Sequence, residues 1–386
     1  MSRPPGGRQI LGSTLSSRPT TPGEIWLLGN CERVSLSTCC SEPCGGGTLA
    51  VYTDSPEYTA TLLPEETTSG FSPAAESDLA RASFLRALLL PERGILRAPE
   101  RYSAWPHLLL TDFAPRSNYD ALLELARRDG APDGLACLAG SGRGFHGFKG
   151  RTWAAEPGNL HLSVHWAPEA EVERFDVAFT VLAALSVAQA VDALPGMEGR
   201  AAIKWVNDLR VHGAKVGGVL AYTQTRGRVV TSAVLGMGVN VDRSPEVPAT
   251  PFVPRTGCLR DYLADDQAEA QRPLLRALLV SLHRNYRTLL REGYRPLLEA
   301  YRERSEVLGR QVTVCSEDSD QDPRVLASGR VVAMGEGLEL YTEGRSEPLP
   351  RGRLVFDHEQ VAVTGGGIHR LADTIAQPAH GAPFRD

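Results

Sequence analysis

The 386-residue sequence predicts an α+β fold, a mixed β-sheet with packed helices followed by a small β-barrel. Three observations point there. Apolar runs of strand length alternate with helical stretches between residues 107 and 241, and two further helical stretches follow at 272–292 and 296–306. Residues 309–364 then break into short strand-like pieces separated by turns, GRQVTVCS, VLASGRVVAM, GLELYTEG and GRLVFDHEQVAVT.

Composition bounds the rest. A hydrophobic share of 42% is that of a globular chain, and its length exceeds one small core, so about two or three domains are expected. A formal net charge of −5 argues against a chain that holds nucleic acid by bulk electrostatics, though it leaves room for a local basic patch, and no basic recognition helix follows a tight turn. No apolar run is read as reaching the ~18 residues of a membrane span, and residues 1–18 lack the apolar centre of a secretion signal. The protein is therefore expected to be soluble and cytoplasmic, with neither a nucleic-acid nor a membrane partner. Seven cysteines is an odd number: Cys137, Cys258 and Cys315 stand singly, and Cys31, Cys39, Cys40 and Cys44 lack paired C-x-x-C spacing. Reduced thiols and no metal site are expected.

Residues 1–23, rich in Gly, Pro, Ser, Thr and Arg, read as a disordered leader. Residues 24–100 receive no fold; they hold strand-like pieces at 25–28 and 48–52 and a helical stretch near 77–90 that Pro91 ends. A buried strand runs from His107 to Asp112. Pro115-Arg116-Ser117 leads into an amphipathic helix from Asn118 to about Arg128, which Gly130 stops. Another apolar strand covers 135–139, and the loop GSGRGFHGFKGRTW spans 140–153. Its five glycines, with Arg143, Lys149 and Arg151, offer bare amides and cations to phosphates. It has neither Walker spacing nor a dinucleotide fingerprint, so a solvated surface loop is the alternative.

Residues 159–166 alternate Leu160, Leu162 and Val164 with His161, Ser163 and His165, as in a half-buried strand. That pattern puts the two histidines at the surface, with no third ligand to make them a metal site. Residues 172–194 form a long apolar helix with Phe175, Phe179, Leu182 and Leu185 as its core stripe. Residues 229–241 make a buried strand interrupted by Gly236 and Gly238, where backbone approaches a ligand closely.

Between these two lies IKWVNDLRVHGAKVGGVL, residues 203–220. A strand ends in Lys204 and Trp205, a polar turn Asn207-Asp208 follows, and a hairpin through His212-Gly213 delivers Lys215 ahead of Gly217-Gly218. Two lysines, a carboxylate and bare backbone suit an activated acid. Lys215 is placed to neutralise a carboxylate and a phosphate while a small substrate lies against the glycines. An ordinary charged surface hairpin is the other reading of this run.

Taken together, IKWVNDLRVHGAKVGGVL, GRGFHGFKGRTW and the strand LGMGVNV resemble the catalytic domain of biotin protein ligases, within the biotin/lipoate A/B protein ligase superfamily. The resemblance covers about residues 108–241. It implies a class II synthetase-like catalytic domain over 101–307 and an SH3-like domain over 308–364; the Gly- and Pro-rich end, 365–386, reads as a disordered tail. The implied activity is ATP-dependent biotin–[biotin carboxyl-carrier protein] ligation, with Mg2+ accompanying ATP and biotin as substrate. The acid is joined to AMP and then passed to a lysine of a carboxylase carrier domain. By similarity Lys215, Arg143, Lys204 and Asp208 are the catalytic set. Ser117, Asn118, Gly142, Arg143, Lys215, Gly217, Gly218, Leu220 and Gly236 would surround biotin, and Arg143, Lys149, Arg151, Trp153, Asn207 and Asn240 would face ATP.

The sequence departs from the family pattern in places. Members read G-R-G-R-x-G-R-x-W, whereas here Phe145 follows Gly144 and about three extra residues precede Arg151, leaving Lys149 as a point charge where a planar fork is usual. Ala139 falls where many biotin ligases place a glutamine. Val206 replaces the proline of K-W-P-N-D, which frees a turn that proline would preset. Lipoate or octanoate is thus an alternative acid, and a non-catalytic ligand-binding or adaptor module is an alternative of another kind.

Overall fold

The computed structural model describes residues 50–98, 105–128, 130–264, 269–317 and 323–357. The expected leader, the strand at 25–28, Cys31, Cys39, Cys40, Cys44, residues 358–364 and the tail lie outside them.

The first strand, β1 (Ala50–Thr53), is followed by short helices α1 (Pro56–Leu62) and α2 (Glu65–Thr68), strand β2 (Ser72–Pro73), helices α3 (Glu76–Arg81) and α4 (Ser83–Leu88), and strand β3 (Leu96–Arg97). The single helix expected near 77–90 is two, broken at Ala82 where the backbone leaves the helical region. β1 pairs in parallel with β4 (His107–Ala114), Val51 against Leu108 and Thr53 against Leu110. The described part of the segment to which the sequence assigns no fold, residues 50–98, is therefore built into the main sheet, with all four residues of β1 buried.

Helix α5 (Asn118–Arg127) connects β4 to β5 (Leu135–Gly142), again a parallel pair. Ser117 caps it, its Oγ accepting from the Asp120 backbone N–H at 3.3 Å. Then come β6 (Leu160–Trp166), β7 (Ala170–Glu171), α6 (Phe175–Asp192), β8 (Ala201–Lys204), β9 (Asp208–Val211), β10 (Ala214–Arg226) and β11 (Val229–Val239). The described strands run in the order β2-β3-β1-β4-β5-β6-β11-β10-β9-β8, with β7 beside β11. β1, β4 and β5 are parallel and the remaining pairs antiparallel, so the sheet is mixed as expected.

Two expectations fail here. Helix α6 has 18 residues of mean hydropathy 1.5 and is, by length and composition, apolar enough to cross a membrane. The sequence reading found no such run. It is 67% buried inside the protein, packed against β8, β10 and β11 and against α7 (Gln271–Glu292) and α8 (Arg295–Arg304). A helix covered on several sides is apolar on several sides. His161 and His165, expected at the surface, are 2% and 3% exposed. All seven residues of β6 are buried, because this strand lies between β5 and β11 with both faces covered. Its alternation separates two interiors, not inside from outside.

After α8 the chain forms β12 (Gln311–Cys315), β13 (Val325–Met334), β14 (Leu340–Thr342) and β15 (Arg353–Phe356), a separate antiparallel sheet in the order β14-β13-β12-β15. Its Val312, Val314, Val331, Leu340, Leu354 and Phe356 join the main hydrophobic core. The Trp205 indole, just after β8, donates to the Leu338 carbonyl at 2.7 Å and fastens this sheet to the next turn of the hairpin region.

Candidate active site

The turn after β8 and the β9–β10 hairpin form the floor of a cavity of about 550 Å³, the size of a small-molecule site. Three hydrogen bonds fix the turn. The Tyr301 hydroxyl donates to the Val206 carbonyl at 2.7 Å, Asn207 Nδ2 donates to the Val219 carbonyl at 2.7 Å, and Val219 N–H donates to the Asn207 carbonyl at 3.0 Å. Val206, expected to free the turn, sits in a held one. Along the ladder Asp208 opposes Gly218, and a bulge shifts the register between Lys215 and Gly217. The irregularity turns Lys215 toward Asp208. Their Nζ and Oδ1 are 2.7 Å apart, with the side chains 23% and 21% exposed, so the pair is sheltered yet open to a ligand. A Cβ on Gly218 would meet Asp208 and Lys215 only at ordinary contact, 3.7 Å, which leaves the floor beside the pair bare.

Lys204 also lines the cavity but is spent differently. Buried at 4% exposure, it donates from Nζ to the Phe252 carbonyl at 2.6 Å. It holds the 252 loop against the end of β8.

The back wall is aromatic. A Cβ on Gly236 would come within 2.9 Å of the Tyr119 ring, and one on Gly238 would collide with the Trp153 ring. The two glycines of β11 are thus seats for protein rings, and both also line the cavity. Trp153 Nε1 donates to His161 Nδ1 at 3.2 Å. His161 Nδ1 must then be the acceptor and the proton sits on Nε2, 3.5 Å from the Glu156 carbonyl. Burial lowers its pKa to about 4, so the ring is neutral.

The glycine-rich loop covers this wall. Phe145 stacks obliquely on His161 with ring centroids 5.4 Å apart, its edge filling the space that a side chain on Gly142 would need. His146 Nε2 lies 2.9 Å from Asp120 Oδ1, and Lys149 Nζ lies 3.0 Å from Oε2 of Glu317, just after β12. Burial raises the Tyr119 hydroxyl to about 12, so it stays neutral beside Asp120.

Ser117, Lys149, Arg151, Trp153, Lys204, Asn207, Asp208, Lys215, Gly218, Leu220 and Gly236 are brought together around the cavity. Five expected residues are not among its lining. Arg143 is exposed, with its guanidinium carbon 5.8 Å from the Phe113 ring centroid, because its N–H bonds to the Ala114 carbonyl and prolongs the β4–β5 pairing. Asn118 is buried and donates to Cys137 Sγ at 3.2 Å. Gly142 makes room for Phe145, and Gly217 allows β10 to lie against β11, where a Cβ would come within 2.8 Å of the Gly238 carbonyl. Asn240 is buried and donates to the Gly257 carbonyl at 3.0 Å.

The sequence reading missed Tyr119, His161, His146, Asp120 and Glu317. Tyr119 and Asp120 had a usable signal, since they directly follow the helix cap. Glu317 had none, because only the tertiary fold brings it across from the second sheet.

Comparison with known proteins matches this geometry. Residues 115–240 fit the family model of the biotin/lipoate A/B protein ligase family. The bifunctional ligase/repressor BirA of Bacillus spizizenii is 27% identical over 198 residues, covering 50% of this chain and 57% of that protein. The biotin–[acetyl-CoA-carboxylase] ligase of Paracoccus denitrificans is 32% identical over 113 residues, covering 29% and 44%. This chain thus spans little more than half the length of the first of these relatives. The biotin protein ligase of Aquifex aeolicus, solved in complex with biotin and ATP, shares the fold at a TM-score of 0.51 and 19% identity, covering 64% of this chain and 97% of that one. Residues 115–240 thus carry the match to the biotin/lipoate A/B protein ligase family model, and the likeness to the Aquifex structure is one of fold.

Proposed function

We propose that this protein is a biotin–protein ligase. It would join biotin to ATP as biotinyl-adenylate and transfer the biotinyl group to a lysine of a biotin carboxyl carrier domain. The carrying observation is the Lys215–Asp208 pair, 2.7 Å apart on a floor left bare by Gly218. The named activities of the relatives supply the acid and the acceptor class, and the Paracoccus relative's name favours a carboxylase carrier.

In the first step a biotin carboxylate oxygen bonds to the α-phosphorus of ATP and the bond to the β-phosphate oxygen breaks, releasing pyrophosphate. Negative charge gathers where two anions meet, and the Lys215 ammonium neutralises it in a sheltered site. Asp208 holds the ammonium in place. In the second step the carrier's lysine nitrogen bonds to the acyl carbon, AMP leaves, and the amine gives up a proton. Arg151 and Lys149 supply positive charge at the loop side of the cavity. Mg2+ is proposed as the companion of ATP, held by its phosphates. The carboxylates that line the cavity, Asp176, Asp208 and Glu317, each face a cation already, Arg174, Lys215 and Lys149. A cytoplasmic location belongs to the same proposal.

The test is pyrophosphate exchange into ATP, run with biotin, lipoate and octanoate in turn. Exchange that needs biotin supports the reading; exchange with lipoate or octanoate alone replaces the acid; no exchange with any of them rejects it.

A further inference from the structure

We infer that His146 is a positioning residue: through its ion pair with Asp120 it holds the glycine-rich loop over the cavity, so that the loop closes when the imidazole is protonated. The geometry asks for the charged ring. Nε2 faces both oxygens of the Asp120 carboxylate, at 2.9 and 3.1 Å, and Nδ1 faces the Gly147 carbonyl at 3.1 Å. Both partners only accept, so each ring nitrogen must donate, and an imidazole with two N–H groups is an imidazolium. His161 shows the opposite arrangement within the same wall, one nitrogen facing the Trp153 donor and the other a carbonyl.

The pair joins two units. On the loop side, His146 bridges to Thr152, Gly147 N–H donates to the Arg151 carbonyl at 2.6 Å, and Trp153 N–H donates to the Phe145 carbonyl at 3.0 Å. The loop tip from Phe145 to Trp153 is therefore one hairpin, with Lys149 and Arg151 within it. On the helix side, Asp120 is fixed in the first turn of α5 by its N–H to Ser117 Oγ. Its neighbour Tyr119 lies against Gly236 and presents its ring to the edge of His146, with centroids 6.1 Å apart.

Of the titratable and charged groups around the ring, Asp120 and Tyr119 come from α5, and Lys149 and Arg151 from the loop itself. Asp120 is bonded to it and raises its pKa above the ordinary histidine value, with the Gly147 carbonyl adding to this. Tyr119 is neutral and Lys149 is held by Glu317. The latch is at full strength below the ordinary histidine range and weakens as pH rises through the raised value.

The consequence for ATP rests on the proposed function; the latch itself does not. The experiment is amide hydrogen exchange of residues 143–153 in the ligand-free full chain, expressed as protection factors at about pH 6 and about pH 8.5. Protection is expected to be about five-fold higher at the lower pH, as befits a charge-assisted bond exchanged for a neutral one. Asp120→Asn and His146→Gln should remove the difference. His146→Arg, charged at both values, should keep the protection and lose its pH dependence, with β10 and β11 unchanged in every variant. Equal wild-type protection at the two pH values, or a pH dependence that survives in both Asp120→Asn and His146→Gln, overturns the proposal. A KM for ATP that rises with pH in the wild type and is flat in His146→Gln supports it further. Loop protection that follows pH in a protein that never binds ATP upholds the latch and rejects the ligase reading.

Discussion

Lys215 Nζ lies 2.7 Å from Asp208 Oδ1 across the β9–β10 ladder, beside the bare backbone of Gly218. The carboxylate aims the ammonium before any substrate arrives, which is worth more in a sheltered cavity than in water. Asp208→Asn keeps the shape and removes the charge. It is expected to lower kcat about ten-fold, the ~1.4 kcal/mol by which a charge-assisted bond exceeds a neutral one, with a smaller change in KM for the acid. Steady-state kinetics that show the loss in KM alone would assign Asp208 to ground-state binding.

Three glycines near the cavity serve different ends, and substitution separates them. Gly238→Ala drives a Cβ into the Trp153 ring, which is backed by His161, and should destabilise the fold by about 1–3 kcal/mol while displacing the indole. Gly236→Ala should do the same to Tyr119 more mildly. Gly218→Ala meets only ordinary contacts, so stability should hold within about 0.5 kcal/mol while acid affinity falls. Urea unfolding midpoints together with calorimetric titration of biotin check the split.

His161 gives the fold an acid sensitivity. Its pKa drops from 6.5 to about 4 on burial, so the unfolded chain binds a proton that the folded one refuses. Its share of stability is complete above about pH 6.5 and is lost as pH falls toward 4, up to ~3 kcal/mol. Burial lowers the pKa of His165 and His107 as well, and both act in the same direction. Unfolding free energy measured from pH 7 down to about pH 4.5 should fall, and His161→Gln should flatten part of the slope. A slope unchanged in His161→Gln would place the acid sensitivity elsewhere.

Lys149 is held by Glu317 at 3.0 Å, and a triphosphate in the cavity would compete for the same ammonium. Glu317→Gln releases it and is expected to lower KM for ATP several-fold, whereas Lys149→Ala should raise it. Opposite signs in the two variants are the diagnostic; equal effects would make the pair a purely structural tie between the loop and the second sheet.

The hairpin and its chemistry were legible because they are local. Turn residues, alternation and a lysine two residues before paired glycines lie within 203–220, and the structure keeps them together. What failed was non-local. The strand-like piece read at 48–52 overlaps β1, but its partner β4, more than fifty positions away, was not legible, so the region received no fold. Gly236 and Gly238 line the cavity, but nothing in the sequence announces that Tyr119 and Trp153 also rest on them. Arg143 was expected over the phosphates from its motif; the β4–β5 ladder runs on to Gly142, and the side chain that follows lies near the Phe113 ring, outside the cavity lining. Alternation along β6 was read as inside and outside, since nothing in a single strand announces that both sheet faces are covered.

The most direct measurement is the mass of the small molecule formed when the purified chain is given ATP, Mg2+ and biotin without a carrier. Biotinyl-adenylate is expected, with an equal release of pyrophosphate. Lys215→Ala should lower the rate about 100-fold or more, roughly 3 kcal/mol of transition-state stabilisation, with the unfolding midpoint unchanged. Biotinyl-adenylate formed by Lys215→Ala within a few-fold of the wild-type rate, or no acyl-adenylate from a wild-type protein that binds both substrates, would contradict the proposed function.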